Sequence, residues 1–296
     1  MKTTYPGISS RLVGGAIYTV ILVVAVSLGF LSRFVPLGFF LLVSLLMAGE
    51  VLKALSIKIL GVTLLPALGG MLFILIPPLL WLDSRAIWLT KAGTSVAVSL
   101  LLLGVFALFT AMLHLVRRGH AELSAAVSAA GTALYVFGAF SVLAPLLLFV
   151  PRGLIWLILA LLAPAISDVF AYFGGVRFGK KKIVPNLSPS KTWSGTLFGV
   201  LGSVLLSLIF FLVWLKPAAL PSFWSRLLLA VVSGILLSLV SQAGDWFASA
   251  IKRFVGIKDF STLIPGHGGL FDRLDSFLPV LPTVFLLSLY VEAVLS

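Results

Sequence analysis

The sequence predicts an all-α polytopic membrane protein, and its composition provides the observations behind that prediction. Only 10% of the 296 residues are Asp, Glu, Lys or Arg, whereas soluble domains usually contain roughly 25%. Apolar residues make up 60% of the chain, and the mean hydropathy is +1.20. Because so few charges cannot cover a water-facing surface of this size, lipid must be the solvent for much of it. A water-soluble globule is therefore excluded.

Nine apolar runs approach the ~20 residues that a membrane-spanning helix requires. We expect the run 58–82, which contains Pro77 and Pro78, and the run 123–150, which contains Pro145, to kink or tilt. The first run has no clear signal-peptidase site, so we expect it to remain as an anchor. The nine predicted spans are 13–32, 34–52, 58–82, 93–115, 123–150, 153–174, 195–215, 227–249 and 276–295.

The distribution of basic residues predicts the orientation. Fifteen of the 21 Lys and Arg residues lie at the N-terminus or in the loops on its side of the membrane, and six lie on the other side. Since cytoplasmic loops carry the excess of Lys and Arg, we expect the N-terminus inside and the C-terminus outside, in a bacterial inner membrane. The formal net charge of +12 is by itself compatible with nucleic acid, an anionic membrane surface or an anionic substrate.

The composition changes at about residue 152, which predicts two regions. Region 1–152 consists of apolar helices with short loops, and region 153–296 contains the two longest polar connections, 175–194 and 250–275. Six of the nine acidic residues also lie in the second region, so we expect catalysis there. The chain has no cysteine, which excludes disulfides, iron–sulfur clusters and thiol catalysis.

Four aspartates are predicted to lie at one membrane depth, at the cytoplasmic ends of the C-terminal helices. Asp168 lies about six residues before the inner end of its helix, roughly 9 Å at 1.5 Å per residue. Asp245 lies near the inner end of a second helix, and Asp272 and Asp275 are spaced i, i+3 on one helix face. Carboxylates inside a bilayer are costly unless they are paired, protonated or bound to a cation. Clustered oxygen ligands favour Mg²⁺ or Mn²⁺, with internal salt bridges as the alternative.

Two glycine-containing segments have the composition of phosphate-binding loops. The segment Gly174–Lys182 joins glycines to four cations, and Ser188–Gly195 places Lys191 before a helix N-terminus. An ordinary cytoplasmic basic loop is the alternative for the first segment. The segment Ile264–Gly269 predicts a tight non-helical loop with His267 at its apex, although a lone histidine is more often structural.

The C-terminal half resembles the phosphatidate cytidylyltransferase (CDP-diacylglycerol synthase) family of integral membrane enzymes. The resemblance covers about residues 165–276, and Ser194 departs from it because the family commonly has an acidic residue there. Upstream, only Arg11 and Glu50 stand at family-like places. The strongest motif runs Ser249-Ala-Ile-Lys-Arg253, Lys258-Asp259, Ser261, Ile264-Pro-Gly-His-Gly-Gly269 and Asp272-Arg-Leu-Asp275, and weaker matches are Asp168–Gly174, Phe178-Gly-Lys180, Ser188–Gly195 and Gly244-Asp245.

This resemblance implies the reaction CTP + phosphatidate → CDP-diacylglycerol + pyrophosphate, with Mg²⁺ and with the need for a second, monovalent cation left open. It implies that Asp245 and Asp272 are metal ligands, with Asp168 and Asp275 as further ligands or their partners. The glycine loop around His267 would hold nucleotide or pyrophosphate. The expected catalytic residues are Asp245, Asp272, Asp275, Lys252, Arg253 and His267, and the expected substrate-binding residues are Lys191, Ser188, Ser249, Lys258, Asp259, Gly268, Gly269 and Arg273.

The expected partners are CTP, phosphatidate, membrane lipid and a second copy of the chain, with no nucleic acid. A CTP-dependent enzyme acting on another lipid, such as an archaeal ether-lipid cytidylyltransferase or a polyprenol kinase, is the nearest alternative. An ion or solute transporter is a second alternative, since transporters also place acidic residues at helix breaks. Transporters, however, bind their cargo near the midplane between inverted repeats, and the sequence shows no such repeat.

Overall fold

The computed structural model describes residues 8–62, 65–82, 85–214, 222–264 and 266–295. Over these ranges the regular structure is helical, and two isolated β-bridges are the only pairing of extended backbone. The predicted all-α fold is therefore confirmed. The α-helices are α1 (Ile8–Ser27), α2 (Phe34–Leu55), α3 (Leu65–Leu80), α4 (Trp88–Arg118), α5 (Leu123–Phe140), α6 (Leu143–Leu148), α7 (Gly153–Phe178), α8 (Trp193–Ile209), α9 (Phe223–Val255), α10 (Phe271–Leu274) and α11 (Phe277–Leu295).

Each predicted span overlaps a helix in the described part of the chain, although one span is divided and another changes its helix type. The predicted span 123–150 is interrupted, because α5 ends at Phe140 and the short helix α6 begins at Leu143. Pro145 lies in the first turn of α6. Backbone N–H groups in the first turn have no acceptor within the helix, so the missing N–H of proline removes no helical hydrogen bond there. The predicted span at α8 continues into a π-helical segment, Phe210–Trp214.

Seven helices among the described residues are long and apolar enough to cross a membrane, two fewer than the nine expected. The predicted span 58–82 was too long, because residues 56–61 form turns and the helix that follows has only 16 residues. That helix also contains Pro77 and Pro78 close to its end. At the N-terminus, helix α1 contains 20 residues and is followed by a 3₁₀ turn, Leu28–Phe30, and the first span stays a prediction.

The chain forms two compact units. Unit 1 contains the described residues up to Phe149 together with Ile251–Leu274, and unit 2 contains Val150–Ala250 and the residues from Asp275 onwards. The predicted regions 1–152 and 153–296 differ from these units in the assignment of residues 150–152 and of Ile251–Leu274.

Unit 1 is organised by packing among α2, α3, α4 and α5. Large side chains such as Phe40, Met47 and Phe137 have no exposed surface. A Cβ atom at Gly70 would lie only 2.5 Å from the ring of Phe137. Glycine is therefore needed at that position for the helices to approach.

Unit 2 is organised by close packing of α7 against α8, and α11 also packs against α7. Small residues on α8 permit this approach: a Cβ atom at Gly199 would lie 3.1 Å from the carbonyl oxygen of Ser167, and one at Gly202 would lie 2.5 Å from Phe170. Small residues at i, i+3 and i, i+4 spacing are the usual means by which membrane helices pack closely. This packing fixes the ends of α7 and α8, between which the basic loop runs.

Candidate active site

Unit 2 contains an ion-pair cluster centred on Lys191. Its Nζ atom lies 2.8 Å from Oδ2 of Asp245 and 3.9 Å from Oδ1 of Asp168. Asp168 is on α7, Asp245 is on α9, and Lys191 belongs to the loop before α8, so three separate elements supply the cluster. Burial lowers the pKa of Lys191, but the charges of Asp245 and Asp168 and the hydrogen bond to Asp245 outweigh it and raise the pKa above its ordinary value.

The loop that carries Lys191 is held by backbone contacts at both ends of its turn. Lys182 and Thr192 form an antiparallel bridge, in which the amides of Ile183 and Trp193 donate to the carbonyl groups of Lys191 and Lys181. Thr192 then caps α8, because its Oγ1 accepts a hydrogen bond of 3.1 Å from the amide of Gly195. The structure thus joins the two basic segments singled out in the sequence.

A cavity of about 420 Å³ with charged residues in its lining opens beside this cluster. Its lining includes Asp168, Lys182 and Lys191 together with Gly175 and Gly179. The glycines bring backbone close to the cavity, while the lysines provide positive charge. This combination suits a phosphorylated, anionic ligand.

Unit 1 contains a second charged cluster, centred on Asp272. The Nζ atom of Lys252 donates to Oδ1 of Asp272 over 2.8 Å, and the amides of Phe260 and Gly269 donate to Oδ2 over 2.8 and 3.0 Å. The Asp272 side chain is only 3% exposed. One carboxylate therefore ties the end of α9 to the loop that follows it.

Glu50 on α2 holds the same loop from another direction. Its Oε1 accepts hydrogen bonds from Ser261 Oγ over 2.6 Å and from the amide of Leu270 over 3.0 Å. Its Oε2 accepts a hydrogen bond of 2.7 Å from the amide of Phe271. The sequence places Glu50 at a family-like position but predicts no role for it. The available signal was an acidic residue inside an otherwise apolar span.

The glycine loop forms a tight turn, as its composition predicted, with Pro265 lying outside the described residues. Ile264 and Gly268 form an antiparallel bridge, and the amide of His267 donates to the carbonyl group of Ile264. Gly266 and Gly268 have φ values of 74° and 84°, which side chains rarely allow. Arg273 braces the turn, because its Nε donates to the carbonyl group of His267 over 2.9 Å.

The expectation that Asp272 and Asp275 share one helix face is wrong. Helix α10 ends at Leu274, and Asp275 lies in the turn before α11. The Asp275 carboxylate accepts a hydrogen bond of 2.6 Å from the amide of Ser276. Such a local side-chain acceptor competes with helix continuation and explains the break.

The remaining predicted residues differ in accessibility, and the metal site stays a prediction. Among the described residues, no group of three or more Asp, Glu or His side chains is arranged to hold a metal ion. Asp245 and Asp272 each face a lysine ammonium group instead. Of the other predicted residues, Ser249 is buried, Ser188 is half-buried, and Arg253, Lys258 and Asp259 are exposed.

A model of the cytidylyltransferase family matches residues 10–291 of the chain. Among curated proteins, the phosphatidate cytidylyltransferase of Bacillus subtilis (strain 168) is 41% identical over 139 residues, which are 47% of this chain and 49% of the relative. That of Rickettsia typhi is 37% identical over 42% of this chain and 54% of the relative. That of Mycobacterium bovis is 39% identical over 45% of this chain and 41% of the relative. The chain thus spans about half the length of these relatives, and it belongs to the cytidylyltransferase family.

Proposed function

We propose that this member of the cytidylyltransferase family transfers a cytidylyl group from CTP to phosphatidate, giving CDP-diacylglycerol and pyrophosphate. The observation that carries the proposal is the cavity of unit 2 that Lys191 and Asp168 line, beside which Lys191 also pairs with Asp245. The names of the relatives support the choice of substrate. The apolar helices support a lipid substrate that remains in the membrane.

The reaction brings two polyanions together. An oxygen of the lipid phosphate forms a bond to the α-phosphorus of CTP, while the bond from that phosphorus to the bridging oxygen breaks and pyrophosphate leaves with the electron pair. Catalysis of this kind is mainly positioning and charge stabilisation. No general base is strictly required, because the attacking phosphate is already ionised near pH 7.

In unit 2, Lys191 binds phosphate oxygens and Asp245 and Asp168 bind Mg²⁺. The two carboxylates fit a cation, because both already lie near one ammonium group. When bound, Mg²⁺ supplies charge neutralisation for the phosphates. We assign Asp275 to the support of these carboxylates and Ser188 and Ser249 to substrate binding.

In unit 1, Asp272 is proposed both as a metal ligand and as the residue that shapes the glycine loop. Its two oxygens hold Lys252 and the loop amides, so exchange of Lys252 for a metal would leave the loop contacts to Oδ2 in place. The loop binds a phosphate group of a substrate. The proposed contributors from this segment are Lys252, Arg253, Lys258, Asp259, His267, Gly268, Gly269 and Arg273.

The proposal includes location and assembly. We place the protein in a bacterial inner membrane, with the N-terminus and the basic loops cytoplasmic and the C-terminus outside, because of the excess of Lys and Arg on one side. We propose a homodimer on the basis of the family resemblance. The need for a second, monovalent cation stays open.

The proposal is tested with purified protein in detergent, supplied with CTP, phosphatidate and Mg²⁺, by measuring pyrophosphate release. Lys191→Met should lower kcat by roughly 100-fold, because a charge that opposes the developing anion is lost. Lys53→Met, at an exposed lysine on α2, is the matched control and should retain full activity. Release that continues without phosphatidate, or equal rates for both variants, would contradict the proposal.

The two alternatives have their own signatures. Activity with a polyprenol or an ether lipid but not with phosphatidate would identify a related CTP-dependent enzyme. Solute flux into proteoliposomes without CTP would identify a transporter.

A further inference from the structure

Unit 1 contains a long apolar groove beside the glycine loop. The groove has a volume of about 390 Å³ and an almost entirely apolar lining. Helix α1 contributes positions 14, 17, 18 and 21, helix α2 contributes positions 39, 42, 43 and 46, and the glycine-loop segment contributes Leu263, Ile264 and Leu270. The i, i+3 and i, i+4 spacing places each helical set on one face of its helix.

The dimensions of the groove suit a hydrocarbon chain. Its lining on α1 covers seven residue steps, or roughly 10 Å, which is about two thirds of the ~15 Å depth of one membrane leaflet. A second transmembrane helix is too large an occupant, since one turn of a helix ~10 Å across already fills roughly 400 Å³. The groove therefore has room for one extended chain.

Two residues of the glycine-loop segment, His267 and Arg273, lie next to the end of the groove that Gly14 lines. The ring of His267 packs against α1 at Gly15, where a Cβ atom would lie 3.0 Å from the ring. Its Nδ1 atom is buried and has no hydrogen-bond partner among the described residues. Arg273 is exposed, and its Nε donates to the carbonyl group of His267 over 2.9 Å. An apolar channel with such an end matches a ligand that has a long tail and an anionic head.

We propose that this groove binds one acyl chain of the phosphatidate substrate and that His267 and Arg273 face the phosphate of the same lipid. This inference rests on the proposed function, and it assigns the glycine loop to the lipid phosphate and not to the nucleotide. It also gives α1 and α2 a direct role in substrate binding. The chain length of the lipid then affects binding through α1 and α2.

The first test uses tryptophan to fill the groove. Leu46, 41% exposed, lines the groove, whereas Leu108 on α4, 73% exposed, does not. Leu46→Trp should raise the KM for dioleoyl phosphatidate about tenfold, the fold-change for the loss of roughly two buried methylenes. The KM values for dihexanoyl phosphatidate and for CTP should change less than about twofold, because neither ligand reaches the middle of the groove. Leu108→Trp should change none of the three.

Equal effects of Leu46→Trp on the long-chain and short-chain lipids, or equal effects of the two tryptophan variants, would overturn the inference. The second test does not require turnover. Phosphatidate with a photoreactive group in its acyl chain should label peptides of α1 and α2, and the label should be lost in Leu46→Trp but kept in Leu108→Trp.

Labelling that is unchanged in Leu46→Trp would refute the binding of an acyl chain in the groove. The two failures are distinguishable: a wild-type protein that is labelled but releases no pyrophosphate refutes the proposed reaction and supports the groove. If the protein is active but Leu46→Trp changes neither its labelling nor its KM values, acyl-chain binding in the groove is refuted and the proposed reaction is not.

Discussion

Replacing Glu50 by glutamine should loosen the loop from Ser261 to Phe271 without unfolding the rest of unit 1. Glu50 is 9% exposed, and its carboxylate accepts three hydrogen bonds from this loop. Glutamine has the same shape but only one acceptor oxygen. Its NH₂ group would therefore face either the amide of Phe271 or the Ser261 hydroxyl and the Leu270 amide. In either orientation at least one buried donor would lose its acceptor.

The magnitude follows from these contacts. An unsatisfied buried donor costs about 1–3 kcal/mol, and the remaining bonds lose their charge-assisted part. We expect a local destabilisation of about 2–4 kcal/mol, which corresponds to roughly 30-fold to 1000-fold faster amide exchange at Leu270 and Phe271 if they exchange by local opening.

The assay is hydrogen exchange with mass spectrometry on detergent-solubilised protein, with peptides from α4 and α5 as the internal reference. Glu122→Gln is the matched control, since Glu122 is a more accessible acid of unit 1, 26% exposed, that contacts His114 at 3.5 Å. Such a pair is worth about 0–1 kcal/mol. Unchanged exchange at Leu270 and Phe271 in Glu50→Gln, or equal exchange in the two variants, would refute the reasoning.

Three further predictions concern other buried contacts. Lys252→Met should lower the free energy of unfolding by about 3–5 kcal/mol, because it leaves a carboxylate that is 3% exposed without its cation; an unchanged thermal midpoint would contradict this. Arg152→Ala should lower the free energy of unfolding of unit 2 by about 3 kcal/mol, because Glu292, 2% exposed, loses a bidentate partner at 2.6 and 3.1 Å. The double variant Arg152→Ala with Glu292→Gln should recover part of that stability. Gly234→Ala should lower the thermal midpoint by a few degrees, since its Cβ would lie 2.5 Å from the backbone of α8. Gly104→Ala, which meets nothing within 4 Å, should hold or raise the midpoint, and equal shifts for the two glycines would argue against close packing of α9 on α8.

The positions of the helices were largely predictable, because hydropathy is a local property of the chain. The predicted span 227–249 lies within helix α9, and the spans 153–174 and 276–295 match α7 and α11 closely. The errors occurred at the ends of helices, as at residues 56–61, which form turns, and at Asp275, whose carboxylate accepts a hydrogen bond from the amide of Ser276. Local pattern locates apolar helices well but does not fix their ends.

The composition and the motif residues by themselves determined the membrane class, the glycine turn around His267 and the identity of the charged candidates. The tertiary structure alone decided which charges meet. Lys191 pairs with carboxylates on α7 and α9, and Glu50 accepts hydrogen bonds from residues more than 200 positions away. Hydropathy and helical spacing record only the surroundings of each residue along its own helix, whereas ion-pair and hydrogen-bond partners depend on how distant helices pack.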